Sequence, residues 1–161
     1  MGMRRQFPDM QICDIRKKLD ERCPDFQPDI ILPCWGIEFG FREDLHCGTH
    51  THNMRACMES IQFPALLKHV YSQVDELWAT GRTTGRVVCI CENGVHQSVA
   101  VAAIMQEIYH QEGYNSKEPH HLSKCDALPS ICWNCTECNA NMQKATLMSF
   151  AQAEFISGQL L

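Results

Sequence analysis

The sequence predicts an α/β fold: a single three-layer domain with a short, mostly parallel sheet, plus a cysteine-rich metal-stapled loop and a C-terminal helix. Three observations predict it. Apolar side chains recur at helical spacing over 64–80, 87–91 is a continuously apolar and β-branched run, and a second helical stretch follows after a six-residue turn. Helix, buried strand, tight turn and helix in this order form the unit from which α/β sheets are built. A chain of 161 residues supplies one core of ordinary size, so the whole of 1–161 is read as one domain.

Taken in order, residues 1–28 are polar, and Gln11 to Arg16 alternates like a short strand. Asp29 to Trp35 reads as an irregular or edge strand, because Pro33 cannot donate to a ladder. Phe41 to Asn53 reads as loop around Gly48. Over Pro64 to Thr80, Leu66, Leu67, Val70, Val74, Leu77 and Trp78 make one apolar stripe. Pro64 suits its first turn and Gly81 its stop. Val87 to Cys91 fits a strand buried on both faces, as in parallel sheets. Ser98 is the expected N-cap of the next helix, which runs to Gly113. Residues 115–139 show little periodicity, and a loop of that length calls for something to hold it. Residues 141–157 are again helical, closed by Gly158.

Composition narrows the function. Apolar residues make up 45% and charged residues 20%, with a mean hydropathy of −0.25, values of a folded chain and not of a disordered one. No apolar run is long enough to cross a membrane. Fourteen basic against nineteen acidic residues give a formal charge of −5, which argues against a broad nucleic-acid face. Met1 to Asp9 has basic residues with no apolar stretch behind them, so a secretory signal is not expected and a cytoplasmic location is. In that compartment the eleven cysteines are expected as thiols or metal ligands, not as disulfides.

The turn Cys91-Glu92-Asn93-Gly94-Val95-His96-Gln97-Ser98 is the most informative segment. A turn from a buried strand into a helix start aims several backbone N–H groups at one point, where the helix dipole adds positive potential. Gly94 allows close backbone approach, and such a nest binds phosphate or sulfate. Cysteine-dependent phosphatases pair the same cysteine position with an arginine six residues on; here that position is Gln97, which has no charge to give a phosphoryl group. The candidate ligand-binding residues are therefore Cys91, Asn93, Gly94, Val95, His96, Gln97 and Ser98. Cys91 is a candidate nucleophile only if the protein is an enzyme. The plain alternative is a structural cysteine followed by an ordinary turn.

Cys91 to Ala100, C-E-N-G-V-H-Q-S-V-A, resembles the G-C-T-G-G-x-H-R-S-V-A segment of the C-terminal domain of the RapZ family, bacterial RNase adapters and regulators of amino-sugar synthesis. Cys91, Gly94, His96, Ser98, Val99 and Ala100 fall on matching positions. Gln97 replaces the family's arginine and Asn93 a glycine. Pro119-His120-His121-Leu122-Ser123 resembles the family's H-R-D-L motif, with His120 and Leu122 as the matches. Asp14-Ile15-Arg16 is similar to its D-V-R, and Cys47-Gly48-Thr49-His50 falls where a T-G-x-D segment would. The resemblance covers 10–125. The family's nucleotide-binding motif G-x-x-x-x-G-K-[ST] does not occur in these residues. The resemblance implies an α/β domain with a pocket for a phosphorylated metabolite, of the amino-sugar phosphate kind, with His120 added to the ligand-binding set. It implies an RNA-binding surface less strongly, and the negative charge opposes that.

Cys125, Cys132, Cys135 and Cys138 follow a C-x6-C-x2-C-x2-C spacing within a cysteine-rich segment, 120–140. Two-residue gaps let neighbouring thiolates converge on one metal, and four soft ligands in a reducing compartment favour a structural zinc. His120 and His121 are reserve ligands. An iron–sulfur cluster and uncoordinated cysteines are the alternatives. His46, Cys47, His50 and His52 make a second histidine-rich group, open to a metal, to lining the Cys91 pocket (a role the resemblance implies) or to plain surface. Arg82 and Arg86 flank the turn before the strand; they are ordinary turn residues or a source of the charge that Gln97 lacks. Trp35, Trp78 and Trp133 are read as packing.

These readings converge on a small regulatory or sensor domain that binds a phosphorylated small molecule, phosphate or sulfate, with one structural zinc and no membrane partner. The rivals are a cysteine-dependent phosphatase or sulfurtransferase and an RNA-binding adapter.

Overall fold

The structure, a computed structural model, describes residues 12–37, 48–91, 94, 96–117 and 135. In chain order its elements are α1 (Ile12–Arg22), β1 (Ile30–Pro33), α2 (Thr51–Met58), α3 (Phe63–Ala79), β2 (Val87–Ile90) and α4 (Gln97–Gln111). The two strands pair in parallel, with Ile30 opposite Val87 and Pro33 opposite Ile90. The fold is therefore mixed α/β with a parallel strand pair, the coarse class expected. Among the described residues the sheet has two strands, joined by a crossover that contains α2 and α3.

Alternation along the strands sorts their side chains. Ile31 and Val88 pack with Ile15 of α1, and Leu19, Phe26, Trp35 and Ile90 adjoin them. Ile30, Leu32 and Cys34 belong to the larger cluster, with Met54 and Cys57 of α2, Phe63, Leu67, Val70 and Val74 of α3, and Val101, Ile104 and Ile108 of α4. Burial of these apolar side chains is the main source of stability, roughly 1.5–3 kcal/mol for each fully buried Val, Leu or Ile.

Helix α3 follows its sequence pattern. Pro64 sits in its first turn, and Phe63, Leu67, Val70 and Val74 form the buried stripe. Thr80 ends it with its hydroxyl on the Leu77 carbonyl at 2.6 Å, and Gly81 then takes φ +82°, a backbone state that disfavours other residues.

Three expectations need correction. Gln11 to Arg16 does not form a strand: the described part, from Ile12, opens α1, where Ile15 and Leu19 at a four-residue step meet the sheet. Phe41 to Asn53 is not loop throughout, because α2 starts at Thr51; its Met54, Cys57 and Met58 carry a helical spacing that the histidines around them obscure. Strand β2 is not buried on both faces: Val88 is buried, while Val87, Cys89 and Ile90 are half-buried. Residues 118–134 and 136–161, with the expected C-terminal helix, lie outside the described residues.

Candidate functional site

The site is built where β1 and β2 end. Cys34 and Cys91 each follow the last residue of a strand, and α4 begins six residues after Cys91. The Gly94 N–H donates to the Cys91 sulfur at 3.2 Å, and Gly94 takes φ +66°. The Ser98 hydroxyl lies 3.1 Å from the same sulfur. Cys91 thus ties the turn to the first helical turn, and the positive φ explains why a glycine stands at 94. Asn93 and Val95 lie outside the described residues.

Ser98 is not the N-cap. His96 occupies that position with no side-chain cap bond, and α4 starts at Gln97. The Ser98 hydroxyl is instead committed to Cys91, and its residue is buried. The first intrahelical bond runs from Ala100 N–H to His96 C=O at 2.8 Å, so the N–H groups of Gln97, Ser98 and Val99 precede the helical ladder. Such groups carry the positive end of the helix dipole.

The Gln97 amide also has an internal partner. Its Nε2 donates to the Ile37 carbonyl at 3.1 Å, clamping the segment after β1 to the start of α4. A neutral amide suits this half-buried contact, where an arginine charge would have to be desolvated. The turn arginines do not replace the missing charge. Arg82 pairs with Asp29 at 2.8 Å, and the Arg86 N–H bonds the other Asp29 oxygen at 2.8 Å. Both contacts lie at the start of the strands, the opposite end from Cys91.

Gly48 is a contributor that composition and spacing did not reveal. A Cβ placed there would collide with the His96 carbonyl, the Ala100 nitrogen and the Val99 side chain, so the backbone before α2 lies directly on the first turn of α4. Two residues on, His50 is buried and caps α2, its Nδ1 accepting from the His52 N–H at 3.1 Å. His50 and His52 therefore belong to a helix start. Asn53, also buried, follows in α2.

Behind the turn lies a second feature. Cys34 and Cys57 are fully buried, Cys89 and Cys91 are half-buried, and all four border the same cluster. A hydrogen bond with the Cys89 thiol, then burial, then the nearness of Cys89, Cys91 and Cys57 hold the Cys34 thiol well above the ordinary range. Burial, with a smaller contribution from Cys89, does the same to Cys57. Both thiols are protonated at neutral pH.

Of the expected zinc ligands, Cys125, Cys132 and Cys138, with the reserves His120 and His121, lie outside the described residues; Cys135 is half-buried. His46 and Cys47 also lie outside them. Among the described residues, no group of three or more His, Cys, Asp or Glu side chains is placed to hold a metal ion. No described helix is long and apolar enough to cross a membrane. No family model matches the chain, and no curated protein or solved structure matches it either.

Proposed function

We propose that the chain is a small regulatory or sensor-type domain of RapZ-like character that binds a phosphorylated small molecule, or free phosphate or sulfate, at the Cys91–Ser98 turn. The observation that carries this reading is the double tether on the Cys91 sulfur, from the Gly94 N–H and the Ser98 hydroxyl, immediately before the unladdered amides of α4. The Gly94 N–H goes to the Cys91 sulfur, so the donors this reading offers an anion are the N–H groups of Gln97, Ser98 and Val99 at the start of α4. In this reading the sheet is the middle of three layers, with α1 on one side and α2, α3 and α4 on the other. His96 and His120 meet the phosphate edge or the sugar hydroxyls. Cys125, Cys132, Cys135 and Cys138 hold a structural zinc that staples the C-terminal third, and the protein works in the cytoplasm. Four thiolates suit zinc in a closed tetrahedral site.

The test is thermal unfolding in phosphate, sulfate, an amino-sugar phosphate and chloride at equal ionic strength. Ligand at about one hundred times its Kd stabilises by about 2.7 kcal/mol, an easily read shift. Equal melting temperatures in all four salts at millimolar concentration would remove the reading.

A second reading is cysteine-dependent phosphoryl or sulfur transfer. The place of the Cys91 sulfur favours it: it stands at the base of the turn, receives the Gly94 N–H and lies 3.1 Å from the Ser98 hydroxyl at the start of α4, where a nucleophile would sit. Against it stands the Gln97 amide, neutral and bonded to Ile37. Turnover of a phosphomonoester that disappears in Cys91→Ser would decide for it. Salt-sensitive RNA binding would decide for an adapter, which the charge of −5 opposes.

A further inference from the structure

We propose that Cys91 and Cys34 form a reversible disulfide when the protein meets a hydroperoxide, making the end of the strand pair an oxidative modification site. The first support is register. Ile30, opposite Val87, donates to the Arg86 carbonyl at 3.1 Å. Cys34 donates to the Ile90 carbonyl at 2.7 Å, the same offset, which continues the ladder by one step and sets Cys34 opposite Cys91. Neighbouring strands lie about 4.8 Å apart, inside the Cα separation of about 4.4–6.8 Å that a disulfide spans. The second support is facing. Cys34 belongs to the cluster that Cys89 and Cys91 both border, so the three thiols share one side of the sheet. The Cys34 thiol also meets the Cys89 thiol in a hydrogen bond, but Cys89 is a step further along the diagonal, where Cα atoms stand roughly 7–8 Å apart, so a bridge there would need the backbone to move.

Access assigns the roles. Cys34 is fully buried, whereas Cys91 is half-buried beside the turn. The Cys91 sulfur attacks the peroxide, the O–O bond breaks, and sulfenic acid and an alcohol or water result. The Cys34 sulfur then attacks the Cys91 sulfur. The S–S bond forms, the S–O bond breaks, and the departing hydroxide takes the Cys34 proton as water. Two thiols are oxidised and one peroxide is reduced. The proposal is independent of what the turn binds.

The test treats the reduced full-length chain with hydrogen peroxide, blocks remaining thiols and maps tryptic peptides without reduction. Cys34 travels with Cys23 in 23–42, and Cys89 with Cys91 in 87–117, so tandem fragmentation must assign the sulfurs. The expected product links 23–42 to 87–117 through Cys34 and Cys91, is reversed by dithiothreitol, persists in Cys89→Ala and is lost in Cys91→Ala. A link through Cys89 or Cys23 would overturn the proposal. So would Cys91 sulfinic acid beside a Cys34 that remains open to alkylation after unfolding. The wild-type map alone is decisive should either variant fold poorly.

Discussion

The sulfur of Cys91 lies 3.1 Å from the hydroxyl oxygen of Ser98, seven residues later and across the start of α4. This contact, with the Gly94 N–H on the same sulfur, joins strand end, turn and helix start into one unit. Ser98 is buried, so its hydroxyl has no water to fall back on. Ser98→Ala is expected to cost about 0.5–1.5 kcal/mol in urea unfolding, the usual net value of a hydrogen bond. The phosphate-dependent rise in melting temperature should shrink with it, while Ser72→Ala, on the exposed face of α3, should change neither quantity.

Gly48 has no room for a side chain, because the first turn of α4 occupies the space. Gly48→Ala is expected to destabilise by about 1–3 kcal/mol, the cost of overpacking a close contact. Gly36→Ala, where a Cβ meets open space, is the control. Equal urea midpoints for the two variants would contradict the close approach.

Tyr109 packs against Tyr71 and Tyr114, and its buried hydroxyl has no hydrogen-bond partner among the described residues. Tyr109→Phe removes that unsatisfied group and keeps the ring. It is expected to raise stability by about 1 kcal/mol at neutral pH, read from the denaturant midpoint.

The same phenols predict an alkaline limit. Burial first, then the Glu112 contact, raises Tyr71 above the ordinary phenol range, and burial followed by the Glu112 charge raises Tyr109. In the unfolded chain both ionise near pH 10. Their contribution is therefore complete below about pH 10 and is lost as pH climbs toward the folded values. The urea midpoint should fall steadily above about pH 10, and Tyr109→Phe should flatten that fall.

The C-terminal cysteines are tested by elemental analysis. One zinc per chain is expected after purification without chelator, and Cys135→Ser should lower that ratio and expose the region after 117 to protease. A folded protein free of zinc, with an unchanged digestion pattern, would end the zinc reading.

Much of this was legible along the chain. The stripe Leu67, Val70 and Val74 announces α3, and the apolar run Val87 to Ile90 announces β2, because each is a local pattern that one element satisfies by itself. The glycine turn between that strand and the next helix was legible from Asn93-Gly94. The details were less so. The alternation at Gln11 to Arg16 reads equally as strand, and Ile12 to Arg22 is a helix because Ile15 and Leu19 find the sheet at a helical step. Helix α2 was hidden because His50 and His52 suggest metal chemistry more loudly than Met54, Cys57 and Met58 suggest a helix.

By itself, the sequence determined the order of helix, strand, glycine turn and helix, the parallel class of the strand pair, and a cysteine at the base of the turn. Those follow from hydrophobic period and backbone freedom, which act over a few neighbouring residues. Only the tertiary structure decided that Ser98 serves the Cys91 sulfur and not the helix cap, that Gln97 clamps Ile37, that Arg82 answers Asp29 at the far end, and that Gly48 lies on α4. Each of these joins a polar or space-limited group to one brought near by folding, and a buried donor or a crowded backbone takes whichever partner the packing leaves within reach.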